Sequence, residues 1–502
     1  IIGPWATIGT AANAQTDYAV YASGQVVGAG MTASTETAWT TAANAYFQTA
    51  SNTLTATRTI TALRSAGNNI NVTLGQFNLE TYGLLQADTN AQFFTVTGGA
   101  GVLRQPGTAP ASMYLNAGRE RMLISANIQD NTGALTLVKT GSSALTLSGL
   151  NTYTGGVTVD QGNLNLAATN SVFTTALGTG TVTMSSGGID ATTGVLAGTG
   201  TTLFNNITNN TLVINGDFAA NSNGTSNLYF GTGAVSLGTT PGISRQITVS
   251  NGMFTLGGVV SNGTTVNSLS KAGGGTLVLN GANTYTGDTV ILAGTLQMGT
   301  NPVGSLGSIT SSAIGTGNLV FGYTSITTTS GLASDSIAPR TVLNPVAFNG
   351  HATLGDAVKL GKLTFSAPAD LGQAVRTITT PGGDVQFDGV LSAAAGGVTK
   401  NGIGTLILNN ANTFGGETNV VLGTLRAGAA GAIPAGTNVR VASSTANQWA
   451  ILDLAGQNAT IGALTLNSTI SINGAAASNP IASGTALVTT GAGTLTLGGD
   501  LT

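Results

Sequence analysis

Cysteine is absent from this chain of 502 residues, histidine occurs once, and charged residues make up only 7%. The absence of cysteine excludes disulfide bonds and thiolate metal sites. A single histidine, His351, excludes a multi-histidine zinc site, and we expect no histidine-based catalytic triad. We interpret His351 as a loop residue. No cofactor is predicted.

Basic residues and long apolar runs are also scarce. Lysine and arginine total 15 and do not cluster beyond Arg119–Arg121, so the basic footprint of a nucleic-acid-binding protein is missing. No apolar run approaches the ~20 residues of a membrane-spanning helix, and no transmembrane segment is predicted. A hydrophobic share of 41% and a net charge of −3 argue against a disordered chain. A long cysteine-free chain suits a secreted bacterial protein.

The chain is instead rich in glycine, with 74 residues, and it repeats one pattern three times. The copies cover residues 139–166, 271–298 and 400–427, and a partial copy starts at Thr489, where the others have lysine. Such internal repetition indicates one recurring structural unit. Leucine, asparagine and aromatic residues recur at fixed positions: Leu145, Leu147, Asn151, Tyr153; Leu277, Leu279, Asn283, Tyr285; Leu406, Leu408, Asn412, Phe414.

Short segments that alternate with period two predict strands joined by tight turns. In the second copy these strands are Thr276–Leu279, Thr289–Leu292 and Thr295–Met298, and we expect them to form one coil with leucines pointing inward. The copies are irregularly spaced, which argues against a propeller but is tolerated in a solenoid. We therefore predict an all-β fold, a right-handed parallel β-helix.

The first 50 residues differ from the rest because they are rich in aromatics. We expect residues 1–55 to form a cap or docking segment and residues 56–502 to form the β-helix, since a solenoid end exposes strand edges and core. The candidates for assembly are Trp5, Tyr18, Tyr21, Trp39, Tyr46 and Phe47.

The repeated text "GTLVLNGANTYTGDTVILAGTLQMG", with its relatives "ALTLSGLNTYTGGVTVDQGNLNL" and "GTLILNNANTFGGETNVVLGTLRAG", resembles the autotransporter-associated β-strand repeat. That repeat occurs in passenger regions of bacterial autotransporters and in large surface proteins of planctomycetes and verrucomicrobia. The resemblance implies an exported β-helix at the cell surface or outside the cell. The resemblance implies a fold but does not imply any catalytic activity.

Three functions follow from these patterns. The first is an extracellular structural protein, a stiff rod that assembles end to end into a filament or surface layer. The alternatives are the adhesin passenger of an autotransporter and a carbohydrate-active β-helix enzyme. Asp384 and Asp388 are the closest acidic pair, and we interpret them as a solvated coil edge, so the prediction is no enzyme. The predicted partner is a second copy of the chain, with surface polysaccharide left open.

Three positions within each copy invite a functional interpretation. We interpret the lysines Lys139, Lys271 and Lys400 as charges that fringe the first strand of a coil, the alternative being a covalent cross-link to asparagine. We expect the asparagines to bond turn backbone, with the following aromatic ring covering the corner; sugar stacking on that ring is the alternative.

The two ends of the sequence suggest a processed or partial chain. The last residues, "GTLTLGGDLT", have the pattern of a coil's first strand. From this we expect the segment around Trp5–Phe47 of one protomer to cover the region around Gly491–Thr502 of the next, in a contact that repeats without closing.

Overall fold

The computed structural model describes residues 6–9, 15–22, 25–40, 45–87, 93–168, 173–193, 203–206, 208–220, 227–322, 329–443, 448–468 and 485–502. They divide between two compact units, the first comprising Ile1–Thr240 with Arg245–Val259 and the second Pro241–Ser244 with Val260–Thr502. Strands dominate both units, and one short 3-10 helix covers Glu36–Ala38.

In the first unit, successive turns of chain lay parallel strands on top of one another to build three faces. The strands of the first face are Ala45–Gln48, Ala62–Ser65, Gly83–Gln86, Ala111–Ala117, Leu135–Thr140, Gly156–Val159, Val182–Met184, Leu212–Ile214 and Val235–Ser236. Those of the second are Asn52–Thr53, Ile70–Gly75, Phe94–Gly99, Met122–Ile124, Leu145–Leu147, Asn163–Ala168, Gly188–Thr193, Phe218–Ala220 and Ser244–Val249. The third face has two runs, Arg58–Thr59, Leu79–Glu80 and Leu103–Arg104, then Phe173–Thr174, Leu203–Asn206, Asn227–Tyr229 and Met253–Leu256.

The second unit follows the same plan, with Val260–Ser261 as its first strand. One face contains Ser268–Ala272, Thr289–Ile291, Leu319–Phe321, Val346–Phe348, Ala369–Asp370, Leu391–Ala393 and Thr413–Phe414. The next contains Thr276–Leu279, Gly294–Met298, Thr329–Ser334, His351–Leu354, Arg376–Thr379, Val398–Asn401, Thr418–Val420, Val439–Ser443 and Leu464–Ser468. The others contain Arg340–Val342, Leu363–Phe365, Asp384–Phe387, Thr405–Leu408, Gly423–Ala427, Trp449–Asp453 and Thr485–Thr489, and then Ala459–Ile461 with Leu495–Leu497. Val303–Ser305 and Ser308–Ser311 form an exposed antiparallel hairpin.

The N-terminal part of the first unit is built differently. Thr7–Gly9, Gln15–Ala22 and Gln25–Gly28 form a small antiparallel sheet. The strand Ala45–Gln48 already pairs in parallel with Ala62–Ser65. The proposed boundary between a cap and the β-helix at residue 55 stays a prediction.

The three copies of the repeat share one register. In the second copy, Leu269 pairs with Thr289 and Leu277 with Leu296, so one turn of chain takes 19 or 20 residues. The first copy pairs Leu137 with Val157 and Leu145 with Leu164, and the third pairs Val398 with Thr418 and Leu406 with Leu425. The predicted parallel β-helix is confirmed.

One detail of the predicted coil is wrong. Gly294–Met298 stacks in parallel on Thr276–Leu279, so it opens the next turn and does not form a third side of the same coil. The alternation of side chains is the same in both arrangements, because a strand of the next turn presents the same inward face. Period-two alternation therefore finds the strands but not their pairing.

Like side chains stack from turn to turn in the interior. The rings of Phe321 and Phe348 are parallel with centroids 5.0 Å apart, and those of Phe365 and Phe387 are parallel at 4.6 Å. Parallel in-register strands place equivalent residues one strand spacing apart, about 4.8 Å. The interior of the second unit thus contains ladders of stacked aromatic rings.

Candidate functional site

Each repeat contains a lysine that is completely buried and surrounded by backbone carbonyl groups. The Lys271 ammonium donates to the carbonyl oxygens of Ala272 at 2.8 Å, Gly273 at 2.8 Å and Ala293 at 3.1 Å. The other two sites are equivalent: Lys139 donates to Thr140, Gly141 and Gln161, and Lys400 donates to Asn401, Gly402 and Leu422. All three lysines have 0% exposure, so the interpretation of these residues as fringing charges is wrong.

The position of the lysine on its strand explains its burial. Lys139 follows Leu135 and Leu137 at period two, and all three side chains lie on the inward side of the strand Leu135–Thr140. A glycine with positive φ then turns the chain and presents its carbonyl group to the ammonium. This glycine is Gly141 in the first copy, with φ +77°, and Gly273 in the second, with φ +79°.

The carbonyl cage and the burial have opposite effects on the lysine charge. Burial lowers the pKa of Lys139 to about 7, of Lys271 to about 8 and of Lys400 to about 7. An ammonium has three N–H donors and matches three acceptors, whereas a neutral amine has two and leaves one carbonyl group unpaired. The cage therefore favours the ammonium and opposes the lowering of the pKa.

No carboxylate is among the hydrogen-bond partners of the three ammonium groups. A lysine–asparagine cross-link needs a neighbouring acid, so these contacts do not favour that alternative. Two of the three acceptors belong to the turn that follows the lysine, and the third belongs to the corresponding turn of the next coil. Each lysine thus ties two successive turns together.

The asparagine of each repeat connects three successive coils. Asn283 accepts a hydrogen bond on Oδ1 from the amide of Val260 at 2.7 Å and donates from Nδ2 to the carbonyl oxygen of Ala313 at 2.6 Å. The equivalent bonds run from Ile128 to Asn151 to Ala176 and from Leu391 to Asn412 to Ala432. All three asparagines are buried. We call the buried lysine and asparagine of one repeat the coil clamp.

The aromatic ring beyond the asparagine fills the corner. Tyr153 and Tyr285 are 0% exposed and Phe414 is 1% exposed, so none presents a face for sugar stacking. A Cβ atom on Gly315 would lie 2.5 Å from Cε2 of Tyr285, and one on Gly178 would lie 2.9 Å from Cδ2 of Tyr153. The next coil therefore has glycine where it passes over the ring.

The leucines of the repeat lie in the interior. Each of the six leucines singled out from the sequence is 0% exposed. Two bond-forming groups recur beside them, the lysine ammonium and the asparagine amide, so each repeat carries its own polar contacts inside an apolar core. These contacts hold the backbone of the repeat in place.

The aromatic residues proposed for assembly are found in different surroundings. Tyr18 and Trp39 are buried, and their polar atoms bond Leu63 O and Ser34 Oγ. Tyr46 and Phe47 are half-buried in the strand Ala45–Gln48, and the Arg64 guanidinium lies 4.2 Å from the Phe47 ring centroid. The remaining two are Tyr21, in the strand Gln15–Ala22, and Trp5, which lies outside the described residues. Their role in assembly stays a prediction.

The acidic pair considered for catalysis is placed at a coil edge. Asp384 is exposed, and Oδ1 of Asp388 accepts bonds from Gln386 at 2.6 Å and Asn409 at 3.0 Å. His351 begins the strand His351–Leu354, so its interpretation as a loop residue is wrong, and its Nδ1 accepts a hydrogen bond from the amide of Thr377 at 3.0 Å. Over the described ranges there is no group of three or more histidine or acidic residues arranged to hold a metal ion. The absence of catalysis stays a prediction.

Sequence reasoning also missed two buried arginines. Arg245 and Arg376 each donate from Nε to the carbonyl oxygen of a leucine that directly follows an earlier strand. These leucines are Leu237, after Val235–Ser236, and Leu371, after Ala369–Asp370. Both leucines precede a glycine of positive φ, Gly238 and Gly372. Both sites have a leucine, then a glycine, then the arginine a few residues later, and this shared order could have predicted the two contacts from the sequence.

Comparison with known proteins identifies the repeat. The model of the passenger-associated-transport-repeat family matches residues 137–166, 269–298 and 398–427, which contain the coil clamps. The resemblance to the autotransporter-associated β-strand repeat is therefore confirmed. No solved structure matches the chain. Within the described part of the chain, no helix has the length and apolar character needed to cross a bilayer.

Two curated proteins are similar to the chain over most of its length. The "Adhesin BmaC autotransporter" of Brucella suis is 26% identical across 70% of this chain and 14% of its own length. The "Outer membrane protein A" of Rickettsia rickettsii is 28% identical across 73% of this chain and 19% of its own length. The chain thus spans less than a fifth of each relative. With the repeat, these matches confirm the predicted location at the cell surface or outside the cell.

Proposed function

We propose that this chain, which carries three passenger-associated-transport repeats, is a structural scaffold within a bacterial surface passenger and holds adhesive surfaces outside the cell. The observation that carries the proposal is the coil clamp, which recurs in three copies with the same register and the same bonds. It ties successive coils together by hydrogen bonds from two buried side chains to the backbone. An adhesive role is supported by the similarity to a protein named as an adhesin.

The scaffold proposal predicts resistance to proteases. A protease needs several residues of locally unfolded chain, and the backbone of the clamped coils is paired above and below. We expect proteinase K to leave residues 256–300, 125–168 and 390–428 intact under conditions that digest the heat-denatured chain, as measured by mass spectrometry of the fragments. Cleavage inside these segments at the rate of the denatured chain would contradict the proposal.

We further propose that copies of the chain assemble into a filament or surface layer, as the sequence analysis predicts. What supports this is the concentration of aromatic residues in the first 50 positions, with Tyr46 and Phe47 only half-buried. Electron microscopy of the purified chain should show fibres, and removing residues 1–50, which hold these aromatic residues, should abolish the fibres. This part of the proposal would be contradicted if fibres still formed after the deletion, or if the intact chain formed no fibres.

A further inference from the structure

One dipeptide, asparagine followed by glycine, occurs eight times in the sequence. Six of these copies lie in the described residues, at Asn215, Asn251, Asn262, Asn280, Asn349 and Asn401. Glycine has no Cβ atom, so its backbone nitrogen can approach the side chain of the preceding asparagine closely. The dipeptide is therefore prone to an internal reaction between these two groups, and the surroundings of the six copies differ in how far they permit it.

Asn251 is exposed and Gly252 is half-buried, in the turn between the strands Ser244–Val249 and Met253–Leu256. Gly252 has a φ of +58°, in the left-handed region that glycine adopts without strain. In the described part of the chain, neither the Asn251 side chain nor the Gly252 amide has a hydrogen-bond partner. The two groups can therefore approach each other without breaking a bond.

The side chain of Asn262 is held by three hydrogen bonds. Its Oδ1 accepts from the amides of Asn267 at 3.2 Å and Thr286 at 2.9 Å. Its Nδ2 donates to the hydroxyl group of Thr286 at 2.9 Å. These bonds keep the side chain in place, so a reaction at Asn262 requires that they break first.

At two other copies the amide of the glycine is held instead. The Gly216 amide, which follows Asn215, donates to the carbonyl oxygen of Met184 at 3.0 Å. The Gly350 amide, which follows Asn349, donates to the carbonyl oxygen of Phe321, also at 3.0 Å. Each nitrogen must give up its hydrogen bond before it can react.

The last two copies are restrained by burial or by strand pairing. Gly281, which follows Asn280, is buried, so solvent has little access to its amide. Asn401 ends the strand Val398–Asn401 and pairs in parallel with Thr379. Of the six described copies, only Asn251 combines an exposed side chain with a glycine amide that is neither bonded nor buried.

We propose that Asn251 is a site of covalent modification, at which the chain deamidates by attack of its own backbone. Hydroxide removes the proton of the Gly252 amide, and the nitrogen then attacks Cγ of Asn251. The N–Cγ bond forms, the Cγ–Nδ2 bond breaks, and Nδ2 takes a proton from water and leaves as ammonia. The product is a cyclic succinimide, and the step involves no oxidant or reductant.

Water then opens the succinimide at one of its two carbonyl groups. Attack at Cγ breaks the newly formed bond and gives aspartate. Attack at the main-chain carbonyl breaks the original peptide bond to Gly252 and gives isoaspartate, in which the backbone runs through the side chain. Both products place a carboxylate in the turn where the chain had a neutral amide. The net reaction consumes water and releases ammonia, and the proposal does not rest on the scaffold function.

Ageing of the folded full chain at neutral pH tests the site. Samples are digested at acidic pH, and the peptides that contain each copy are quantified by mass spectrometry. We expect Asn251 to deamidate about two- to tenfold faster than Asn215 and Asn349, and more than about tenfold faster than Asn262, because each hydrogen bond that must break raises the barrier. The products should include isoaspartate, detected by enzymatic methylation, and the rate should rise with pH because hydroxide starts the reaction.

The same chain in denaturant is the matched control. Unfolding removes the hydrogen bonds and the burial, so the rates at the six copies should converge. Gly252→Asn keeps a residue that tolerates positive φ but adds a Cβ atom, and it should slow the reaction at Asn251 in the folded and in the unfolded chain. Circular dichroism checks that this variant folds.

Three results would overturn the proposal. The first is that Asn251 deamidates no faster than Asn262 in the folded chain. The second is that Asn251 yields aspartate without isoaspartate, which excludes the succinimide. The third is that Gly252→Asn leaves the rate at Asn251 unchanged. None of these measurements depends on resistance to proteinase K, so this proposal and the scaffold proposal fail independently.

Discussion

Asn283→Ala is expected to lower the free energy of unfolding of the coils around the second repeat by about 2–6 kcal/mol, because it leaves two buried backbone groups unpaired at about 1–3 kcal/mol each. These groups are the amide of Val260 in the preceding coil and the carbonyl of Ala313 in the following coil. Asn283 is 0% exposed, so water does not replace the lost bonds in the intact structure. Denaturant unfolding followed by far-ultraviolet circular dichroism measures the change.

A neighbouring residue gives the matched control. Thr284 is exposed, and Thr284→Ala removes a side chain of similar size from the same loop. Its expected effect is within about 0.5 kcal/mol, as for most surface substitutions. Equal effects of the two substitutions would show that the asparagine bonds do not hold the coils together.

Lys271→Met is expected to cost about 2–5 kcal/mol at neutral pH, because removal of one side of a buried charged contact leaves its partners unsatisfied. Methionine fills nearly the same volume, so the substitution removes the ammonium without making a large cavity. The carbonyl groups of Ala272, Gly273 and Ala293 lose their common donor. Urea unfolding of wild type and variant at matched pH measures the difference.

The pH dependence of this difference tests the state of the lysine. Burial lowers the pKa of Lys271 from 10.5 to about 8, so the folded chain releases this proton at lower pH than the unfolded chain. Between these two values the unfolded state holds more protons, and the free energy of unfolding rises with pH. The methionine variant lacks this contribution.

The stability difference between wild type and Lys271→Met should therefore grow from about pH 7 to about pH 10. A difference that stays constant would mean that the carbonyl cage offsets the burial and keeps the lysine at its ordinary pKa. Thr489 occupies the lysine position of the partial copy, and its hydroxyl group donates to Asp453 at 3.1 Å. Because Thr489 has no ammonium group to titrate, this position is a natural comparison for Lys271.

Most of the fold was predicted from the period-two alternation of apolar residues within the strands. Leu277 and Leu279 mark the inward face of their strand, and the same spacing in all three copies indicates one stacked unit. An asparagine recurs at the same position in each copy, and this recurrence predicted that Asn283 lies at a corner. What alternation does not determine is which strand stacks on which, so Gly294–Met298 was assigned to the wrong turn of chain.

The lysines show why the interior of the site was harder to predict. Lys139 has the same period-two phase as Leu135 and Leu137, and this phase alone places it inside. Its charge favoured a surface position, since lysine is seldom buried without a partner. The partner is a set of backbone carbonyl groups. Every residue has such a group, so the amino-acid sequence does not show which ones contact the lysine. The third carbonyl comes from the turn of the next coil, about one turn of chain away.

The central claim is that the coil clamp holds its neighbouring coils, and amide hydrogen exchange of the full Asn283→Ala chain tests it most directly. We expect faster exchange at Val260 and across residues 260–316, with unchanged protection in the third repeat, residues 398–427, because solenoid coils depend on their neighbours. Unchanged exchange in residues 260–316, or an equal loss of protection in the third repeat, would contradict the claim.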